Sequence, residues 1–347
     1  MTIRDRVKNL TPYSSEREKT EIRLDKNESP FSLPKQLKRR IMTQLKDLPF
    51  NRYPSSSSEG LREKLADFHS LNKENVVAGS GSDQLIAYAV KLFSGDRVVI
   101  TPPTFSMYRF YSNLAGFDVL EVPLTEDFDL RPQQIKDAIR DSAALFLCSP
   151  NNPTGNAFER KTIVDLLETG KPLILDEAYV DFSGKSEIDL IKEYDNLIVL
   201  RTFSKAFGVA GARIGYAVAS ETTVEHLLKV KPPYNLNSLS ETIAEVLLDN
   251  HEIIQDRVEF IKEERNRIYE RFEKYSYPTE ANFLLMDLDA HEFLLEKGIG
   301  VRKFPGRLAD KIRVTVGTKK ENDRLIESLE EFIESRTSSR LSGQQGR

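Results

Sequence analysis

Between about residues 75 and 220, short apolar runs alternate with helical patterns, and this alternation limits the possible folds more than any other feature. The runs are Val76–Ala78, Arg97–Thr101, Val119–Val122, Ala143–Cys148, Pro172–Leu175, Leu197–Leu200 and Ile214–Ala219. Several are β-branched and flanked by Gly, Pro or Asp, the signature of strands buried on both faces. Between them lie Ser82–Phe93, Phe105–Leu114, Pro132–Arg140 and Glu159–Thr169, which carry helical periodicity. This pattern predicts an α/β fold with a mostly parallel, seven-stranded sheet and helices on both faces. Right-handed crossovers then place the carboxyl ends of the strands along one edge, where ligands bind.

The pattern changes after residue 230. Lys231-Pro232-Pro233 stops a helix, and a long charged helical stretch is expected from about Ser238 to Lys274. A strand at Asn282–Met286, a helix at His291–Lys297, a strand at Ile312–Val316 and a helix from Lys319 to about Ser335 follow. We expect a large domain over 46–235 and a smaller α/β unit over 236–335, with residues 1–45 lying against the smaller unit. The tail over 336–347 is Ser, Gly, Gln and Arg without apolar anchors and is expected to be disordered.

Composition narrows the class of protein. A net charge of −4 gives no hint of a nucleic-acid partner. No apolar stretch approaches the roughly 18 residues of a membrane span. The opening MTIRDRVKNL lacks the apolar core of a secretory signal. Cys148 is the single cysteine, so no internal disulfide forms, and a reducing cytoplasm is the simplest expectation. His69, His226, His251 and His291 lack ligand spacing, and no metal site is expected.

The residues that follow each expected strand are chemically rich. Gly79-Ser80-Gly81-Ser82-Asp83 opens a helix, a place where backbone N–H groups and the helix dipole attract an anion. A tight turn with Ser82 or Asp83 as N-cap is an equal reading. Gln84 stands where a dinucleotide fingerprint needs its third glycine. Later segments supply Phe105, Asn152 and Asp176 with Tyr179, and then Thr202, Ser204 and Lys205 with Arg213. A lysine drawn out of water has a lowered pKa and can attack an aldehyde to form a Schiff base. A carboxylate such as Asp176 can keep a pyridinium protonated, although a strand-ending Asp is commonly a simple cap.

As a set these segments resemble fold-type I aminotransferases and, among them, the histidinol-phosphate aminotransferase family. The resemblance rests on Ser149-Pro150-Asn151-Asn152-Pro153-Thr154-Gly155, on Asp176-Glu177-Ala178-Tyr179, and on Arg201-Thr202-Phe203-Ser204-Lys205-Ala206-Phe207-Gly208 with Gly211-Ala212-Arg213-Ile214-Gly215. It runs from about Leu10 to Gly317 in matching order and spacing.

The resemblance implies pyridoxal 5′-phosphate as cofactor. Lys205 would bond it and then carry a proton between Cα and C4′. Asp176 would pair with the pyridinium nitrogen, Tyr179 and Asn152 would hold O3′, and Phe105 would stack on the ring. Ser82, Asp83, Thr202, Ser204 and Arg213 would surround the phosphate. Tyr53 would reach the phosphate of a partner subunit, which makes a homodimer with shared active sites the expectation. Tyr13, Asn27, Tyr108, Asn152, Arg302 and Arg313 would contact substrate, although Tyr13 and Tyr108 are equally readable as core or interface aromatics and Arg302 as a surface arginine. The implied reaction passes an amino group from histidinol phosphate to 2-oxoglutarate in histidine biosynthesis. An aromatic amino acid as donor, and a threonine-phosphate-type decarboxylase, stay open, because one arginine fork grips carboxylate and phosphate alike.

Overall fold

The computed structural model describes residues 5–8 and 20–344. Tyr13 lies outside the described residues.

Two sheets organise the chain. The four-stranded sheet has β1 (Ile22–Leu24), β9 (Phe283–Met286), β10 (Ile299–Lys303) and β11 (Ile312–Thr315), in the order β1-β10-β11-β9. Thus the N-terminal segment closes this sheet by pairing in parallel with β10. The seven-stranded sheet has β2 (Val76–Gly79), β3 (Arg97–Ile100), β4 (Asp118–Glu121), β5 (Ala144–Cys148), β6 (Leu173–Asp176), β7 (Leu197–Thr202) and β8 (Gly215–Ala219). Its order is β2-β8-β7-β6-β5-β3-β4.

Only β8 runs against its neighbours in this sheet, pairing antiparallel with both β7 and β2. The reason is local. The chain between Thr202 and Gly215 holds only a 3-10 turn at Ala210–Ala212, with no crossover helix to carry it over a sheet face. Both ends of that loop therefore sit at the same edge, and Lys205 and Arg213 are kept close. The carboxyl ends of β2, β3, β5, β6 and β7 share that edge.

Strands β5 and β6 are buried at every position, as a sheet covered on both sides requires. Their side chains alternate between two apolar clusters. Phe146, Cys148 and Ile174 pack on one face with Ile198 and Leu200. Leu145, Leu147, Leu173 and Leu175 pack on the other with Leu197 and Val199.

Two expectations need correction. The long stretch after residue 238 is two helices, Ser238–Leu248 and Glu252–Arg271. Asn250 breaks it: its side chain donates to the Val246 carbonyl at 2.7 Å and its backbone N–H to the Leu247 carbonyl at 3.2 Å, which closes the first helix. The last helix runs Lys319–Gln344, past residue 335 and into the segment expected to be disordered. Leu325, Leu329 and Phe332 anchor it in the core, and adding turns to an anchored helix costs little.

Candidate active site

The loops at the carboxyl edge of the large sheet meet the small sheet around Lys205. This lysine is partly buried in the turn after β7. Its Nζ donates to the Lys26 carbonyl at 3.1 Å and lies 5.6 Å from the centre of the Tyr179 ring. Burial, and then the nearby Arg313 guanidinium, lower its ammonium pKa to about 8. A lysine in that range offers a substantial neutral fraction near physiological pH.

Asp176 ends β6 and is 3 % exposed. Its Oδ2 accepts from the Tyr108 hydroxyl at 2.7 Å and its Oδ1 from the Ala178 N–H at 3.0 Å. Burial pushes its pKa up to about 6 against the pull of these two donors. No arginine or lysine among the described residues forms an ion pair with it, so its charge lacks a protein counter-cation at bonding distance. Of the two readings of Tyr108, substrate contact and core aromatic, the structure favours the core aromatic: the residue is fully buried, stacked on Phe146, with its hydroxyl donating to Asp176.

Tyr179 and Asn152 border the same space. The Tyr179 hydroxyl accepts from Asn27 Nδ2 at 3.0 Å, and burial drives its pKa well above the usual phenol range. Asn27 sits in the left-handed region at φ 54°, fastened by its N–H to Thr315 Oγ1 at 2.9 Å. The Asn282 side chain also donates to its carbonyl at 3.2 Å. Arg313, on β11, donates from Nη1 to Asn152 Oδ1 at 2.6 Å and from Nη2 to the Asp25 carbonyl at 2.6 Å. Phe283 and Phe304 flank the guanidinium, with ring centres 5.2 and 5.6 Å away. Thus β1's exit, β6, the Asn152 loop and β11 converge on one site.

A second cluster lies beside it, at the start of the helix Ser82–Ala89. Gly81 has φ 80°, and a Cβ there would come within 2.5 Å of Arg213 Nη2. A Cβ on Gly215 would come within 2.5 Å of the Ser82 nitrogen. Glycine at both positions lets the helix start, the β8 entry and Arg213 close into a cradle. Arg213 donates to Asp83 Oδ2 at 3.0 Å and to Ser204 Oγ at 3.4 Å. Thr202 Oγ1 accepts from the Ser204 N–H at 3.1 Å and fixes the loop. The first N–H groups of a helix have no intrahelical acceptor, so with Arg213 they suit a phosphate. Asp83's carboxylate is engaged with Arg213, which leaves its backbone as its means of meeting an anion.

Phe105 is partly buried at the rim, edge-on to Tyr108 with centres 5.6 Å apart. Arg302 is exposed, but on β10 it lies directly opposite Arg313, so both side chains leave the same face of the small sheet. Tyr53 stands apart from this cluster, 80 % exposed and stacked on Tyr234 at 4.6 Å. Thr315, Asn282 and the carbonyls of Asp25 and Lys26 were not foreseen. A sequence gives little sign of a backbone acceptor, although Asn282 and Thr315 are polar residues beside or within apolar strands.

A profile of the aminotransferase class I and II family matches residues 19–329. The chain belongs to that family. Among its relatives, the histidinol-phosphate aminotransferase of Pyrococcus furiosus is 51 % identical over 332 residues, 96 % of this chain and 98 % of that protein. That of Thermococcus kodakarensis is 47 % identical over 330 residues, 95 % of this chain and 98 % of that one. Of the solved structures, the histidinol-phosphate aminotransferase of Clostridium acetobutylicum superposes with a TM-score of 0.83 at 25 % identity, over 90 % of this chain and 98 % of that one. The Sinorhizobium meliloti enzyme in complex with pyridoxal-5′-phosphate shares the fold, with a TM-score of 0.87 at 24 % identity over 96 % of this chain and 98 % of that one. The mostly parallel seven-stranded sheet with its helices is the fold-type I aminotransferase architecture. Among the described residues of this aminotransferase, no group of three or more His, Cys, Asp or Glu side chains could hold a metal ion. No described helix is long and apolar enough to cross a membrane.

Proposed function

We propose that this aminotransferase uses pyridoxal 5′-phosphate to move the amino group of histidinol phosphate onto 2-oxoglutarate, giving imidazole acetol phosphate and glutamate. The observation that carries the cofactor assignment is the pairing of a buried carboxylate without an ion-pair partner, Asp176, with a depressed-pKa lysine, Lys205, beside a glycine-built phosphate cradle. The donor assignment is supported by relatives of that name at 47–51 % identity over nearly their full length.

The residues fit the cofactor. Asp176 supplies the negative charge a ring N–H requires, and Arg213, Ser204 and the start of the Ser82 helix suit its phosphate. Tyr179 and Asn152 supply polar atoms for a ring oxygen, and Phe105 an aromatic face. Bound pyridoxal phosphate contributes an aldehyde for amino groups and a protonated ring that draws electrons from Cα.

The chain does the rest. Lys205, neutral in part near pH 8, takes the Cα proton as general base and returns it as general acid. Its tether to the Lys26 carbonyl keeps the amine beside the Tyr179 ring. Arg313 grips the anionic group of the substrate, and Arg302, opposite it, adds a second positive charge at the same face. One fork serves a carboxylate and a phosphate in turn, which suits two substrates that share a site. Asn27 holds the Tyr179 hydroxyl in place. Tyr53 and Tyr234 form an exposed stacked pair, and we assign it to a second copy of the chain, with Tyr53 reaching that copy's phosphate cradle.

The test is to load the purified protein with pyridoxal phosphate, record its visible spectrum and add histidinol phosphate without any 2-oxo acid. The expected result is loss of the visible cofactor band, gain of a near-ultraviolet band, and restoration by 2-oxoglutarate. Response to phenylalanine or tyrosine but not histidinol phosphate reassigns the donor. Release of carbon dioxide without amino transfer moves the enzyme to the decarboxylases.

A further inference from the structure

Tyr108 belongs to the helix Met107–Ala115, yet its side chain does not line the open site. It is fully buried beneath it. Its ring stacks on Phe146 with centres 5.3 Å apart and planes 14° apart, and Phe105 meets it edge-on. These contacts leave the phenol no room to swing. They deliver its hydroxyl to Asp176 Oδ2 at 2.7 Å. Cys148 lies beside Asp176 in strand register, and the Ala178 N–H takes the other carboxylate oxygen. Each oxygen of Asp176 thus receives one neutral donor.

We infer that Tyr108 is a positioning residue for the amino-transfer reaction: its hydroxyl fixes the Asp176 carboxylate and favours the ring proton residing on the cofactor nitrogen rather than on Asp176. The inference rests on the assignment of Asp176 as the partner of the cofactor ring. A carboxylate that receives a hydrogen bond is a weaker base than the same carboxylate without it. Burial, with Asp176 next in effect, holds the Tyr108 phenol well above its ordinary pKa, so it donates a hydrogen bond without surrendering its proton. A neutral donor also suits the task better than arginine or lysine, because a fixed cation there would repel a pyridinium. The inference differs from a substrate role for Tyr108, which would act on donor binding.

The experiment uses holoenzyme loaded with cofactor labelled with 15N in the ring. The ring nitrogen's chemical shift is measured in the wild type, in Tyr108→Phe, and with 3-fluorotyrosine at position 108. Tyr108→Phe keeps the stacked ring and removes one oxygen. Its nitrogen signal is expected to move toward the unprotonated range. The fluorinated phenol is a stronger donor and is expected to move the signal the other way, which keeps the test decisive if Tyr108→Phe loads poorly. Turnover of Tyr108→Phe should fall roughly 10- to 100-fold, as for loss of one hydrogen bond to a charged group, with KM for histidinol phosphate within about twofold. A protonated wild-type nitrogen unmoved by either change overturns the inference alone. A rise in KM with kcat unchanged also overturns it and returns Tyr108 to the substrate. A wild-type nitrogen in the unprotonated range overturns the reading of Asp176, and this inference with it.

Discussion

Asp176 and Glu177 are consecutive carboxylates, both buried, and the fold treats them in opposite ways. Asp176 faces the site with Tyr108 and Ala178 as neutral donors and no ion-pair partner. Glu177 faces away, toward the other side of the sheet. There Arg201 of β7 donates to its Oε2 at 3.0 Å, Ser186 donates to the same oxygen at 2.8 Å, and the Glu187 N–H reaches Oε1 at 2.6 Å. Burial raises the pKa of both, but only Glu177 has a guanidinium bonded to it. One carboxylate is satisfied within the protein and holds β6 to β7. The other has no cation bonded to it, only Lys205 nearby, at the edge where a ligand arrives. A buried charge is costly unless paired, so the unpaired member marks the functional one.

The largest effect that separates the two is catalytic. Asp176→Asn keeps the shape and the hydrogen-bonding reach but removes the charge. Turnover is expected to fall roughly 10^2- to 10^3-fold, the scale of removing one preorganised electrostatic group, as read by steady-state kinetics with saturating cofactor. Glu177→Ala should act mainly on stability. It takes from the buried Arg201 the carboxylate bonded to it, leaving Asp181 and the Tyr216 hydroxyl as its remaining partners, and should cost about 3 kcal/mol in urea unfolding of the apoprotein. If Glu177→Ala lost as much turnover as Asp176→Asn while staying folded, the division of labour would be wrong.

The next effect has a sign set by linkage. The Asp176 pKa rises from an unfolded 3.8 to about 6 in the folded chain. Between those values the native state binds more protons than the unfolded state, so apoprotein stability falls as pH climbs through this window. Below it the penalty is absent; above it the penalty is complete, at roughly 3 kcal/mol. Asp176→Asn removes the penalty. The apo variant should therefore be more stable than the wild type above pH 6 and not below pH 4, in paired denaturation curves. Equal stability of the two at every pH would show that Asp176 is already compensated, and the comparison would collapse.

Much of this arrangement was legible in the sequence, and the legible part has a physical pattern. The strands β5, β6 and β7 were placed nearly to the residue because they are buried on both faces and read as unbroken apolar runs. Strand ends then put Asn152, Asp176 and Lys205 on one edge, since parallel strands share their carboxyl ends. The three-residue β1 was not legible, because Ile22-Arg23-Leu24 is too short to show a period and gains its strand character from β10. Nor was the left-handed Asn27, whose conformation is held by Thr315 from the far end of the chain. Tyr108 was noticed, but the sequence left it divided between a substrate contact and a core aromatic. Its true partner depends on how deep the Met107 helix sinks over β5 and β6, a tertiary distance that no local pattern carries. The break at Asn250 was missed because the side chain that ends the helix looks, in sequence, like one more polar position on a charged surface.

The smallest effect compares two single oxygens. Ser186 Oγ donates to Glu177 Oε2 much as the Tyr108 hydroxyl donates to Asp176 Oδ2, at 2.8 against 2.7 Å. Ser186→Ala and Tyr108→Phe are therefore matched deletions of one neutral donor to one buried carboxylate. Glu177 keeps Arg201 and the Glu187 N–H after the loss, so Ser186→Ala should cost only about 1 kcal/mol of unfolding free energy, with turnover within about twofold. Asp176 keeps only the Ala178 N–H, and its remaining work is to hold a proton on a ligand, so Tyr108→Phe should register in turnover. Kinetics and urea unfolding on both variants separate the cases. Were Ser186→Ala to slow turnover as much as Tyr108→Phe, the two carboxylates would be acting as one coupled unit through β6, and the protection of Asp176 from its neighbour's chemistry would not hold.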